Sequence, residues 1–151
     1  MQVLSWQQVN LGGVILAGLV AGYVMQLAGV WADAIPGLVA IDFADFGRRY
    51  LISDRVSAWI VGLLSHLANS ILLVFVFAAV LVPTIAPSVP LPLLGLVWGE
   101  LLALVLAGGL VAPLSGLGLL GLKSRSPRWL ITNLLLHAVW GLLVGVLYIP
   151  R

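Results

Sequence analysis

Four unbroken apolar stretches, each long enough to cross a bilayer as a helix, constrain this chain more than any other feature. They run over about 11–32, 56–82, 93–115 and 129–149. A hydrocarbon core about 30 Å thick takes roughly 20 residues as an α-helix, and irregular backbone there would leave peptide groups without hydrogen bonds. The expected fold is therefore all-α, a single transmembrane domain over 1–151 with four transmembrane helices in an antiparallel bundle, because short loops join near neighbours. Apolar residues are 62% of the 151 and charged residues 8%, too few to clothe a water-soluble fold of that length. A formal charge of +2 argues against nucleic acid as a partner, and the absence of cysteine removes disulfides, thiolate metal sites and cysteine nucleophiles.

The third stretch stays apolar as far as Leu122, but Pro113 and the series Gly116, Gly118 and Gly121 favour one helix with an irregular end over a fifth span. The first stretch has no Lys or Arg before it and is longer than a secretory h-region, so it reads as a retained helix. Six of the seven basic residues flank the inner loops: Arg48, Arg49 and Arg55 between spans one and two, and Lys123, Arg125 and Arg128 between spans three and four. Only Arg151 lies elsewhere, and the positive-inside rule then puts both loops in the cytoplasm and both termini outside. Trp6 and Trp98 fall at the outer boundary and Trp31, Trp59 and Trp129 at the inner one, with Trp140 and Tyr23 at depth. Within 38–52, Val39, Phe43, Phe46 and Tyr50 recur at helical spacing, which reads as a short interfacial helix or as a packed loop covering the inner end. Pro83 to Pro92, with four prolines, reads as a stiff extended outer loop.

Aligning span two on span four at an offset of 71 places His66 on His137, Gly62 on Asn133, Asn69 on Trp140, Ser70 on Gly141 and Phe77 on Tyr148. The pattern suggests a duplicated helical hairpin. Small residues one turn apart supply close-contact faces: Gly18 with Gly22, Gly95 with Gly99, Ala103 and Ala107, and Gly141 with Gly145. Four helices have no evident internal need for so many tight faces, so some are expected to meet partners.

Polar groups at depth are few: Gln26, His66, Asn69, Glu100, Asn133 and His137. Each needs a partner, since an unsatisfied polar group in hydrocarbon costs several kcal/mol. At 1.5 Å per residue, His137 and His66 lie about 12 and 15 Å from the inner edge, at a shared level, with Glu100 about 10 Å from the outer edge. Three readings follow. Neutral histidines bonded across helices to Asn69, Asn133, Gln26 or Glu100 would set the register of the bundle. Alternatively, His66 and His137 would bind haem b from its two sides, with Arg48, Arg49 and Arg55 near its propionates. Glu100 with the histidines would instead mark a proton or ion path. No nucleophile and base pair, metal-ligand pair or phosphate loop is present, so no catalytic or metal residue is assigned and no enzyme is expected.

The series His137, Gly141, Gly145 and Tyr148 on the last span, with Ala17-Gly18-Leu19-Val20-Ala21-Gly22 and Met25 on the first, resembles a loose group of bacterial and archaeal four-helix membrane proteins of unknown function. Span two departs from the glycine pattern, carrying Ser70 and Val74 where span four has its glycines. The resemblance implies only a four-helix bundle and no particular activity; the expected location is a prokaryotic inner membrane, crossed several times. Taken together, the leading expectation is a non-catalytic accessory or scaffold subunit without a cofactor, packing against other membrane subunits or itself within an energy-transducing complex. Bis-histidine haem b electron transfer is the alternative, and lipid, quinone or pigment are the candidate bound molecules.

Overall fold

The structure, a computed structural model, describes residues 4–5, 7–41, 55–86, 88–124 and 126–151. Four long helices dominate: α1 (Leu11–Val30), α2 (Val56–Ile85), α3 (Leu91–Leu114) and α4 (Arg128–Leu147), each long and apolar enough to cross a membrane. Short 3-10 turns occupy Ala32–Ala34 and Leu119–Gly121, and no strand occurs among the described residues. The helices are apolar around their circumference. Ile15, Leu16, Leu64, Leu72, Val97, Val105 and Val146 all stand exposed on the outside, in keeping with helices apolar enough to cross a membrane.

Local chemistry sets the helix ends. Asn10 caps α1, its Oδ1 accepting from Gly13 N–H at 3.1 Å, while its Nδ2 donates to Ile149 O at 2.9 Å and ties the start of α1 to the chain after α4. Helix α2 runs through Pro83 to Ile85, beyond the end read from sequence at residue 82. The physical reason is a local change of winding. Phe77–Leu81 is π-helical and ends two residues before Pro83; Ala103–Val111 is π-helical and ends two residues before Pro113. A proline has no N–H and its ring strikes the carbonyl four residues back, so a wider turn upstream lets the helix continue. The stiff loop expected over Pro83 to Pro92 is correspondingly shorter. Pro83 lies in the last turn of α2 and Pro92 in the first turn of α3, where a missing N–H costs nothing. Helix α4 stops at Leu147, and Tyr148 is extended.

The helices neighbour one another in the spatial order α2, α1, α4, α3. Gly18 sits on the backbone of Ile71 and Gly22 on Ser70, which docks α1 on α2. Gly95 faces the carbonyl of Gly141, Gly99 that of His137, and Gly145 that of Leu91, so α3 and α4 touch backbone to backbone. All three glycine pairs are thus used within the chain, so the expectation that some would be left for partners is not met by these residues. Helices α2 and α3 meet mainly where the π-helical Phe77–Leu81 reaches α3 and where Trp98 Nε1–H donates to Leu73 O at 3.3 Å. One end of the bundle is densely filled by Val9, Val14, Val74, Phe77, Val144 and Tyr148. Phe77 and Tyr148 meet edge to face, with ring centres 6.3 Å apart.

At the other end, residues 38–41 are irregular, Val39 N–H donating to Thr132 Oγ1 at 3.0 Å and Ile41 N–H to Gly29 O at 3.0 Å. The interfacial helix read over 38–52 otherwise falls outside the described residues, as do Arg48, Arg49 and Trp6. After α3 the chain turns tightly through Gly116, Gly118, Leu120 and Gly121, all at positive φ. Gly121 is required twice over: its φ is +71°, and a Cβ there would enter the Trp129 ring.

Candidate functional site

Where α2 and α3 part, they leave a cleft of about 970 Å³. It extends from the turns beside Val39, Ser115, Ser124 and Trp129 to Ser70, Leu73, Leu102 and Trp140, about 16 Å along α4 at 1.5 Å per residue. His66, Asn69, Asn133 and His137 all line it, so four of the six polar groups expected at depth converge on one space. Apolar walls come from Met25, Leu73, Leu102 and Leu106. The π-helical stretch of α3 supplies Leu106, Ala107 and Val111, so the widened winding imposed by Pro113 shapes this wall.

The polar side chains are bound in a definite way. His66 Nε2–H donates to Gly22 O at 3.1 Å, joining α2 to α1. His137 Nδ1–H donates to Asn133 O on its own helix at 2.9 Å. Asn133 Nδ2–H donates across to Ala103 O at 3.0 Å, at the first residue of the π-helical stretch. At the floor, Trp140 Nε1–H donates to Ser70 Oγ, and Ser70 Oγ–H donates to Gly18 O, both at 2.7 Å, linking α4, α2 and α1 in one relay. These acceptors are mostly backbone carbonyls, whereas the sequence points to the amide side chains. A glycine such as Gly22 or Gly18 has no side chain to shield its carbonyl, and a neighbouring helix can then reach it.

The remaining candidates lie elsewhere. Glu100 is half-buried and stands outside the cleft lining. Gln26 is 2% exposed, and neither its Oε1 nor its Nε2 has a hydrogen-bond partner. Tyr23, expected at depth, faces outward beside Leu19, Val20 and Leu67. The cleft-lining serines Ser65, Ser115, Ser124 and Ser126 carry no signal in sequence that separates them from other loop or helix serines. No group of three or more His, Asp or Glu side chains able to hold a metal occurs among the described residues.

Among the pairs 71 apart, His66 and His137 line one cleft, and Phe77 touches Tyr148 just beyond α4. Ser70, one position from the alignment partner of Trp140, bonds to it. Comparison with models of known protein families, with curated proteins and with solved structures finds no match for this chain.

Proposed function

We propose that the chain is a multi-pass protein of a prokaryotic inner membrane, with its four helices antiparallel, that binds an amphipathic molecule in the cleft between α2 and α3. The antiparallel reading is supported by contacts whose numbers run in opposite directions, Gly95 with Gly141 and Gly99 with His137, and Gly18 with Ile71 and Gly22 with Leu67. The six basic residues of the two inner loops orient the bundle with both termini outside. Because the chain has no cysteine, single substitutions report topology directly. In intact cells, Ser88→Cys is expected to react with a membrane-impermeant maleimide and Lys123→Cys only after permeabilisation; the reverse pattern would invert the orientation.

The observation that carries the binding reading is the cleft itself, about 970 Å³ of mainly apolar wall with His66, Asn69, Asn133 and His137 converging on it. Binding sites typically combine such walls with a few directed polar groups. Ala107→Trp fills the cleft from a half-buried position on its wall. Native mass spectrometry of protein extracted from its own membrane is expected to show a retained lipid-soluble molecule, lost in Ala107→Trp. Equal retention by both proteins, or none by either, would refute the reading.

Haem ligation fits less well. A bis-histidine site held through Nε2 on both sides would require His66 to give up its bond to Gly22 O. An ion path through Glu100 lacks continuity, because Glu100 lies outside the cleft. The accessory-subunit reading drew on the small-residue faces, the minimal mass outside the spans and the lack of a complete chemical site; the three glycine pairs are engaged internally, which removes the first of these supports at those residues.

A further inference from the structure

We infer that the molecule taken into the cleft carries a hydroxyl head group on a long apolar tail, and that His137 Nε2 and Asn133 Oδ1 accept its hydrogen bonds. The inference rests on the binding reading above and goes further by naming the chemistry of the head.

The argument begins with which hydrogens are already committed. A carbonyl oxygen only accepts, so the bond to Asn133 O places the proton of the His137 ring on Nδ1. In a neutral imidazole, Nε2 is then a bare acceptor. The same reasoning fixes Asn133, whose Nδ2 donates to Ala103 O, so that its Oδ1 is the free end of the amide. Asn133 is 3% exposed and both residues line the cleft. Neither Nε2 of His137 nor Oδ1 of Asn133 receives a hydrogen bond from any described residue, and neither is among the buried atoms left without a partner. The two side chains are one helical turn apart, so their acceptors are presented on the same wall.

Nearby donors are spent. Ser70 donates to Gly18 O, Trp140 to Ser70 and Ser65 to Val61 O, and the Nε2–H of His66 goes to Gly22 O. Asn69, on α2, also lines the cleft and can still donate, but the wall that α4 presents beside it carries only acceptors. The deep wall therefore offers acceptors to whatever enters. A head group that also only accepts, such as a quinone carbonyl or an ester, would leave His137 Nε2 and Asn133 Oδ1 unpaired. One that donates would satisfy them. Leu73, Leu102 and Leu106 supply the surface for the tail.

Two kinds of membrane molecule share this chemistry, quinols and lipid alcohols such as diacylglycerol. The test uses the full chain in lipid nanodiscs and measures affinity by tryptophan fluorescence, since Trp129 and Trp140 both line the cleft. The probes are an isoprenoid quinol and dioleoylglycerol, each paired with its hydroxyl-capped twin, the dimethoxy and acetylated forms. At least one hydroxyl probe is expected to bind ten-fold or more tightly than its twin, and whichever does so identifies the source. His137→Phe, which removes the acceptor and keeps an aromatic ring, is expected to bring the two twins within about two-fold, in line with the cost of an unpaired buried group.

Equal affinity for both members of each pair would overturn the hydroxyl assignment while leaving the binding reading intact. No binding of any probe, together with no difference between the parent protein and Ala107→Trp, would overturn both. Should His137→Phe fail to fold, nitrogen NMR of the unaltered protein decides: the His137 Nε2 resonance shifts with a hydroxyl probe and stays put with its twin, or the inference fails. A shift produced equally by water and by every probe would also defeat it.

Discussion

Gly141→Leu is expected to abolish the folded bundle, and Gly141→Ala to destabilise it measurably, in thermal unfolding followed by circular dichroism in detergent. At Gly141 a Cβ would run into the carbonyl of Gly95, and at Gly95 into the carbonyl of Gly141. Neither obstacle is the movable end of a side chain. To make room, α3 and α4 must separate along their whole shared face, which also includes Gly99 against His137 and Gly145 against Leu91. Overpacking typically costs about 1–3 kcal/mol where side chains give way, and a rigid backbone contact belongs at the top of that range for alanine and beyond it for leucine. In lipid the loss is not recovered elsewhere, because close backbone packing, more than burial of apolar area, is what holds such helices together. Gly12→Ala is the control. A Cβ there would meet only Asn10 Oδ1 at 3.7 Å, so the gain in helix propensity should leave stability unchanged or raised. If Gly141→Ala and Gly12→Ala behaved alike, the close contact between α3 and α4 would be wrong.

The second large effect separates the two ends of the bundle. Phe77→Ala should lower stability by about 2 kcal/mol, whereas Leu106→Ala should change it by less than about 0.5 kcal/mol. Phe77 is 0% exposed and set edge-on to Tyr148. Removing its ring leaves a void against Tyr148 that rigid neighbours cannot close. The cost stays below the roughly 3–5 kcal/mol known for soluble cores, since a side chain released from the bundle enters lipid rather than water. Leu106 packs on the edge of the core but is only half-buried and borders the cleft, so its truncation enlarges an existing space rather than opening a new void. Equal costs for the two substitutions, read from the same unfolding curves, would mean that the cleft is filled by protein and is not available to a ligand.

Several features of the site are legible in the amino-acid sequence. His66, Asn69, Asn133 and His137 stand out as rare polar groups within the apolar spans, the two histidines at a shared level, and the four line a common space. Glu100 and Gln26 satisfy the same criterion and lie elsewhere, because depth along a helix says nothing about which side of it a residue occupies. Helices that are apolar all round lack the polar and apolar faces that reveal rotation in a water-soluble bundle. The same loss of sidedness hides the roles of the small residues. The spacing of Gly18 and Gly22 identifies a contact face, but whether it meets α2, another helix or another protein depends on packing.

What the amino-acid sequence determines by itself is therefore the one-dimensional part of the answer. It sets the number of long apolar helices, their approximate ends, the levels of the polar groups and the prolines around which the helices rewind, because each depends on a residue and its near neighbours along the chain. Only the tertiary structure decides that α2 and α3 part below Trp98, that the three glycine pairs are consumed internally, and that the hydrogens of His137 and Asn133 are spent on backbone carbonyls. Those features depend on how each helix is rotated and on which helix it touches, and in lipid that choice follows from backbone shape and single hydrogen bonds, which leave almost no trace in hydropathy.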